Sequence, residues 1–177
     1  MTRLLLAAAF LIPSAAFAVG SNDTSPPKPT ETTMECSDGQ VWDADAKECV
    51  NPQSGSLLDD ELYKAAREFA YAGQFDNTLK VLAAMSDPMD DRVLTYKGFV
   101  NRKLGHTDLG NEFYLQALAV NPDNILARSY MGQGMVEAGD LIAAREQLIE
   151  IRLRGGQGTW AEAALQTAIE SGKTYSY

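Results

Sequence analysis

The side chains with the most chemistry in this 177-residue chain are two cysteines, Cys36 and Cys49, and a single histidine, His106. Both cysteines fall in CSDGQVWDADAKECV, residues 36–50. Residues of these types could form a redox pair, a metal site, a small carbohydrate-binding loop or a covalent staple. A thioredoxin-like relay needs Cys-x-x-Cys, which this spacing does not give. Zinc needs nitrogen or sulfur ligands close together, and His106 is far along the chain, after Gly105 in an expected interhelical turn. The run DADAKE (43–48) alternates carboxylates like the start of a calcium loop, yet it lacks the required glycine and continues with Lys47. No metal and no cofactor is expected.

The catalytic inventory is equally thin. The chain has no Gly-x-Ser-x-Gly elbow and no His-Glu-x-x-His, and one histidine is too few for most nucleophile–base pairs. The glycine-rich stretches MGQG (131–134) and GGQG (155–158) lack the Lys-Ser/Thr that would hold a nucleotide phosphate. They read as helix packing and a helix stop. The expectation is a protein that is not an enzyme.

The elements that must position these residues begin with MTRLLLAAAFLIPSAAFA. A basic start at Arg3, an apolar run and Ala16-Phe17-Ala18 predict a signal peptide over residues 1–18, cleaved after Ala18. No later segment approaches the length needed to cross a bilayer, so no integral membrane span is expected. That places the chain in the periplasm or outside the cell, where two cysteines normally pair. A structural disulfide between Cys36 and Cys49 is the expected outcome. The charge balance is acidic, with 15 Lys and Arg against 24 Asp and Glu. Such a field repels phosphate backbones, so nucleic acid is not an expected partner.

Residues 19–35 are rich in Pro, Ser, Thr and charge and read as a disordered tether. In the cysteine loop, Val41-Trp42 and Cys49-Val50 predict two short strands around an Asp-rich turn. NPQSGS (51–56) reads as a linker. From Leu57 onward apolar residues recur at three- and four-residue spacing, predicting seven helices of about 12–16 residues. Asp87 and Pro88 are expected to start one of them. Thr159 with Glu162, and Gly172, should bound a last helix over 160–171.

Three stretches, AYAGQFDNTL, NRKLGHTDLG and VEAGDLIAAR, place Gly73, Gly105 and Gly139 at the same point of a helix–turn–helix unit. A helix–turn–helix period near 34 residues is that of tetratricopeptide repeats. The chain from about residue 59 to 156 resembles that family, as exported bacterial proteins carrying the repeat do. The match rests on Leu62, Ala66, Phe69, Gly73 and Phe75, then Gly98, Gly105, Tyr114, Ala117, Leu118 and Pro122. In the third unit it rests on Met131, Gly132, Gly139, Leu141, Ala144 and Leu148. Lys97 and Asn101 depart from the pattern. They suggest a rotated helix that packs through Val93, Tyr96, Val100 and Leu104.

The resemblance implies an all-α fold: a right-handed helical-hairpin solenoid of about three repeats over residues 57–177, ending in a capping helix. The small disulfide-closed hairpin of 36–50 would precede it. It also implies a concave groove. Mapped here, the groove stripe is Tyr63, Arg67, Tyr71, Arg92, Tyr96, Phe99, Arg102, Lys103, Tyr130 and Gln133. Arginine forks and tyrosines suit partner binding. The same residues could instead pack against the N-terminal loop or a neighbouring helix, and both readings stand on the sequence. The Lys/Asn/Arg clamp of chaperone-docking relatives is not carried over, because Tyr63 and Tyr96 stand where polar donors would be needed.

The favoured function is a non-catalytic scaffold that binds a segment of another envelope protein in this groove. The alternative is carbohydrate or cell-wall binding through the Cys36–Cys49 loop. The loop is similar to fragments of chitin-binding modules, with Trp42 as a possible stacking face. The C-terminal KTYSY could fold back on the capping helix or occupy a neighbour's groove.

Overall fold

A computed structural model describes residues 24–174. The expected signal peptide, its cleavage point and residues 19–23 lie outside the described residues. A one-turn helix α1 (Glu31–Met34) leads to strands β1 (Val41–Asp43) and β2 (Glu48–Val50) and a short 3-10 turn, Pro52–Ser54. Seven longer helices follow: α2 (Asp59–Tyr71), α3 (Phe75–Leu82), α4 (Asp91–Lys103), α5 (Thr107–Val120), α6 (Ile125–Glu137), α7 (Leu141–Leu153) and α8 (Trp160–Ser171). Seven is the number expected beyond Leu57, though α3 is only eight residues long.

Helices pair in chain order, α2 with α3, α4 with α5 and α6 with α7. The pairs then stack: α2 and α3 meet α4, α4 and α5 meet α6, and α6 and α7 both meet α8. The chain is thus mostly helical, with one small strand pair near its N-terminus.

The turn glycines repeat one geometry. Gly73, Gly105 and Gly139 have φ of 72°, 84° and 81°, a region that costs residues with a Cβ. The next residue then donates its N–H to the carbonyl five residues back: Gln74 to Phe69, His106 to Asn101, Asp140 to Met135, at 2.8–2.9 Å. This closes each helix end with an otherwise unpaired carbonyl satisfied.

Close packing has an equally local cause. Ala66, Gly98 and Gly132 each stand seven residues before a turn glycine. A Cβ added at Gly98 would lie 2.6 Å from the Tyr114 ring of α5, and one at Gly132 would lie 2.7 Å from Leu165 of α8. The missing side chains let these helices touch. Of the rotated stripe expected on α4, Val93, Tyr96 and Val100 are buried, but Leu104 is exposed at the helix end.

Two boundaries differ from expectation. The α4 N-cap is Asp90, whose carboxylate accepts from the Arg92 N–H at 2.8 Å. Asp87 and Pro88 instead make the turn before it, with Asp87 accepting from the Met89 N–H. At α8, Thr159 caps as expected, while Glu162 reaches back to the Gly158 N–H rather than that of Thr159.

Cys36 and Cys49 are bonded. The strands pair antiparallel, with Val41 opposite Val50, Trp42 opposite Cys49 and Asp43 opposite Glu48. Asp43 accepts from the Asp45 and Ala46 N–H groups and shapes the turn. The hairpin is docked on the helices: Val41 is buried in the main core, and Val50 packs against that core. Gly39 lies against Asn77, and Lys80 donates to the Asp38 carbonyl at 2.6 Å. Trp42 is half-buried, and its backbone N–H donates to the Thr32 hydroxyl.

Candidate functional site

The inner helices α2, α4, α6 and α8 carry a continuous aromatic floor. Tyr63 meets Tyr96 edge-on at 5.8 Å between ring centroids, Tyr96 meets Tyr130 at 6.0 Å, and Tyr130 meets Trp160 at 6.2 Å. Phe99 lies 4.9 Å from Tyr130 and is stacked with Tyr71 at 6.5 Å. Hydroxyls tie the rings together, with Tyr130 reaching Tyr71 at 3.1 Å and Tyr96 at 3.4 Å. Tyr96 and Tyr130 each stand nine residues before a turn glycine, so the repeat itself sets them in register. Burial pushes the Tyr63 phenol well above its ordinary value, so it stays a neutral donor.

The N-terminal segment crosses this floor as a strap. Thr24 is buried, and its hydroxyl accepts from the Ala161 N–H of α8 at 3.3 Å. Arg67 of α2 donates to the Ser25 carbonyl and, through Nε, to the Tyr96 hydroxyl at 3.3 Å. Beside it, the buried Glu68 carboxylate accepts four bonds: from the N–H and hydroxyl of Thr30, and from the N–H and hydroxyl of Thr33. Thr30 also caps α1. Between the anchors, Pro26, Pro27 and Pro29 restrict the chain to extended backbone that needs few partners of its own.

The expected free tether is therefore corrected from Thr24 onward. Composition alone registers that this segment has little to bury. It does not register that Arg67 and Glu68, two charges inside the array, need the hydrogen bonds it supplies.

The residues of the expected groove stripe separate into four groups. Tyr63, Arg67, Tyr96, Phe99, Tyr130 and Gln133 are buried, which is the packed reading of the stripe. Tyr71 is half-buried at the rim. Arg92, over the Tyr63 ring at 5.0 Å, pairs with Asp60 at 2.7 Å and Asp90 at 2.9 Å at the amino ends of α2 and α4. Arg102 and Lys103 lie at the opposite end, the carboxyl end of α4.

The Arg102 side chain is 3 % exposed and pairs with Glu137 of α6 at 2.6 Å. Its Nε and Nη2 have no hydrogen-bond partner among the described residues, and neither does the Gln133 Oε1. Burial opposes charge on Glu137, but Arg102 outweighs it and holds the carboxyl below its ordinary value. Burial, then Arg102, lowers Lys103. Burial pushes the nearby Tyr114 phenol up to about 12.

A cavity of about 500 Å³ opens at the amino ends of the inner helices, lined by Thr24, Tyr63, Asp91, Arg92, Asn124 and Arg154 among others. Its carboxylates are engaged: Asp91 accepts from Asn121 and Asn124, and Asp123 pairs with Arg154 at 2.5 Å. His106 is exposed at the α5 N-terminus, as its turn position implies. Among the described residues no three His, Cys, Asp or Glu side chains cluster as metal ligands, and no helix is long and apolar enough to cross a membrane.

The sequence reading missed Glu68, Thr24, Thr30 and Thr33. One signal was available: Glu68 stands one turn after Ala65, at the edge of the apolar stripe of α2, where a carboxylate must find donors. The chain matches no family model, no curated protein and no solved structure.

Proposed function

We propose that the chain is a non-catalytic scaffold of the tetratricopeptide type, exported from the cytoplasm, whose inner face holds an extended segment of another envelope protein. The observation that carries this reading is the strap. The inner face already holds an extended Pro/Thr segment of its own chain, through main-chain and hydroxyl hydrogen bonds donated by Arg67 and Ala161 and accepted by Glu68. Three of these bonds read the strap's backbone, at Ser25, Thr30 and Thr33, and the others read only a hydroxyl, so another segment of like chemistry can replace them. The disulfide fits an oxidising compartment.

Recovery of partners from an envelope extract on immobilised wild type and on Arg67→Ala/Arg102→Ala tests this. The double variant, checked for unchanged helical content, should lose a defined set of proteins by at least roughly tenfold, the scale of about 1.4 kcal/mol. Equal recovery of every protein would overturn the groove assignment.

A further inference from the structure

We infer, resting on the inner-face reading above, that Glu68 selects the partner segment. The segment it admits carries Ser/Thr-x-x-Ser/Thr after a Pro-rich extended run, and the strap is a built-in equivalent that this segment displaces. The Glu68 side chain is buried, and every hydrogen bond it accepts among the described residues comes from the strap. The Thr30 N–H and hydroxyl donate to its two oxygens at 2.8 Å and 2.7 Å. The Thr33 N–H donates at 3.1 Å, beside the Thr33 hydroxyl. Lifting the strap alone leaves a buried carboxyl group with no donor, which is costly. Whatever replaces the strap must bring donors in the same register.

That register is narrow. Two hydroxyls three residues apart reach one carboxyl group here because the backbone turns between them, with Thr30 as the N-cap of α1. Serine supplies the same donor and the same cap, whereas valine supplies neither. Five residues before Thr30, the Ser25 carbonyl accepts from Arg67 and sets a second anchor. Three of the four residues between the anchors are proline, which has no N–H to satisfy and keeps the span extended. Packing adds little: within residues 24–34 only Thr24 and Thr32 are buried, while Pro26, Lys28 and Pro29 are exposed. A segment held by hydrogen bonds at a few points opens locally at low cost, so one with the same donors can exchange with it. The strap runs directly into the disulfide loop at Cys36, so it competes as a tethered ligand and weakens binding in trans.

The test uses the full chain with its disulfide intact. The probe is fluorescein-labelled Thr-Ser-Pro-Pro-Lys-Pro-Thr-Glu-Thr-Thr-Met amide, the sequence of residues 24–34, with binding read by anisotropy. Thr30→Ala/Thr33→Ala loosens the protein's own strap and should bind the probe at least about tenfold tighter than wild type does. On that variant, a probe with serine at the two threonine positions facing Glu68 should bind within about threefold of the original, and a valine probe at least about tenfold more weakly. The same order of probes is expected on wild type at higher probe concentration, which keeps the test open if the variant loses helical content. Equal binding of the threonine and valine probes, or binding of neither to either protein, overturns Glu68 selection. If that happens while envelope proteins are still lost on Arg67→Ala/Arg102→Ala, the inner-face reading stands and only its selectivity falls. A wild-type dimer that the threonine probe dissociates would give the site to the strap of a second copy and overturn the partner assigned here.

Discussion

Helices α6 and α7 are partners of equal length, 13 residues each, yet they use their residues in opposite ways. Nine residues of α6 are buried, including Arg128, Ser129 and Gln133, whereas α7 buries only Ala144, Leu148 and Ile151. Conversely, α7 leaves Ile142 at 73 % and Leu153 at 76 % exposure. The cause is position in the stack. α6 is enclosed by α4, α5, α7 and α8, so even its polar side chains must find internal partners. Arg128 does so on the Pro122 carbonyl and on Gln147 of α7, and Ser129 on the Ala161 carbonyl of α8. α7 faces neighbours on one side only. In a stack of helix pairs, depth is set by the layer a helix occupies more than by the hydrophobicity of its residues.

The largest effect that sharpens this contrast is expected at Tyr130, fully buried among Tyr96, Phe99 and Trp160. Tyr130→Ala removes a core aromatic and should cost about 3–5 kcal/mol of unfolding free energy. The exposed Ile149→Ala on α7 should cost well under about 1 kcal/mol. Urea unfolding of both variants measures the difference, and equal losses would erase the distinction between the layers.

The same contrast explains what could be read in advance. Helix count, the turn glycines and the small residues at 66, 98 and 132 were legible, because each is dictated within one helix–turn–helix unit. The disulfide followed from the expected compartment and the cysteine count. The stripe was expected as a groove, and its burial was left open. Whether Arg67 faces solvent or a strap depends on contacts more than 40 positions away, which no local periodicity encodes. Leu104 and Asp87 failed at helix ends, where one turn of shift changes a residue's face. Trp42 remains half-exposed on a hairpin whose docking is carried by Val41, a residue the loop motif gave no reason to single out.

A smaller effect concerns the array's first layer, which is covered by the hairpin as α6 is covered by α8. Cys36→Ser/Cys49→Ser should remove up to about 3 kcal/mol by loop-closure entropy. Because Val41 joins the hairpin to the main core and Lys80 of α3 donates to the Asp38 carbonyl inside the disulfide loop, the melting temperature of the helices should fall with it. An unchanged helical melt would make the hairpin an independent appendage.

Acid should weaken the inner layer next. Asp90 and Glu137 are both held below the ordinary carboxylate range, by Arg92 and by Arg102, against the opposing pull of burial. A carboxyl depressed in the folded state contributes stability that is complete above its unfolded pKa, about 4, and is lost as pH falls through the folded value. Melting temperature should therefore be level near neutrality and drop below about pH 4. Glu137→Gln should reduce that drop, and an identical acid limb would remove the Arg102–Glu137 pair from the account.

The smallest effect is the one that tests the outer layer most directly. Ile142 and Leu153 are exposed, yet they are the residue types that hydrophobicity alone would send inside. If the layer decides depth, Ile142→Ser/Leu153→Ser should change unfolding free energy by no more than about 0.5 kcal/mol in either direction. The unfolded chain gains a little from the added hydroxyls, and the folded chain gains them at the same solvent contact, so the two effects nearly cancel. A loss of 2 kcal/mol or more, on the order of a buried aliphatic side chain, would mean that α7 is covered in solution. The contrast between α6 and α7 would then belong to the isolated chain alone.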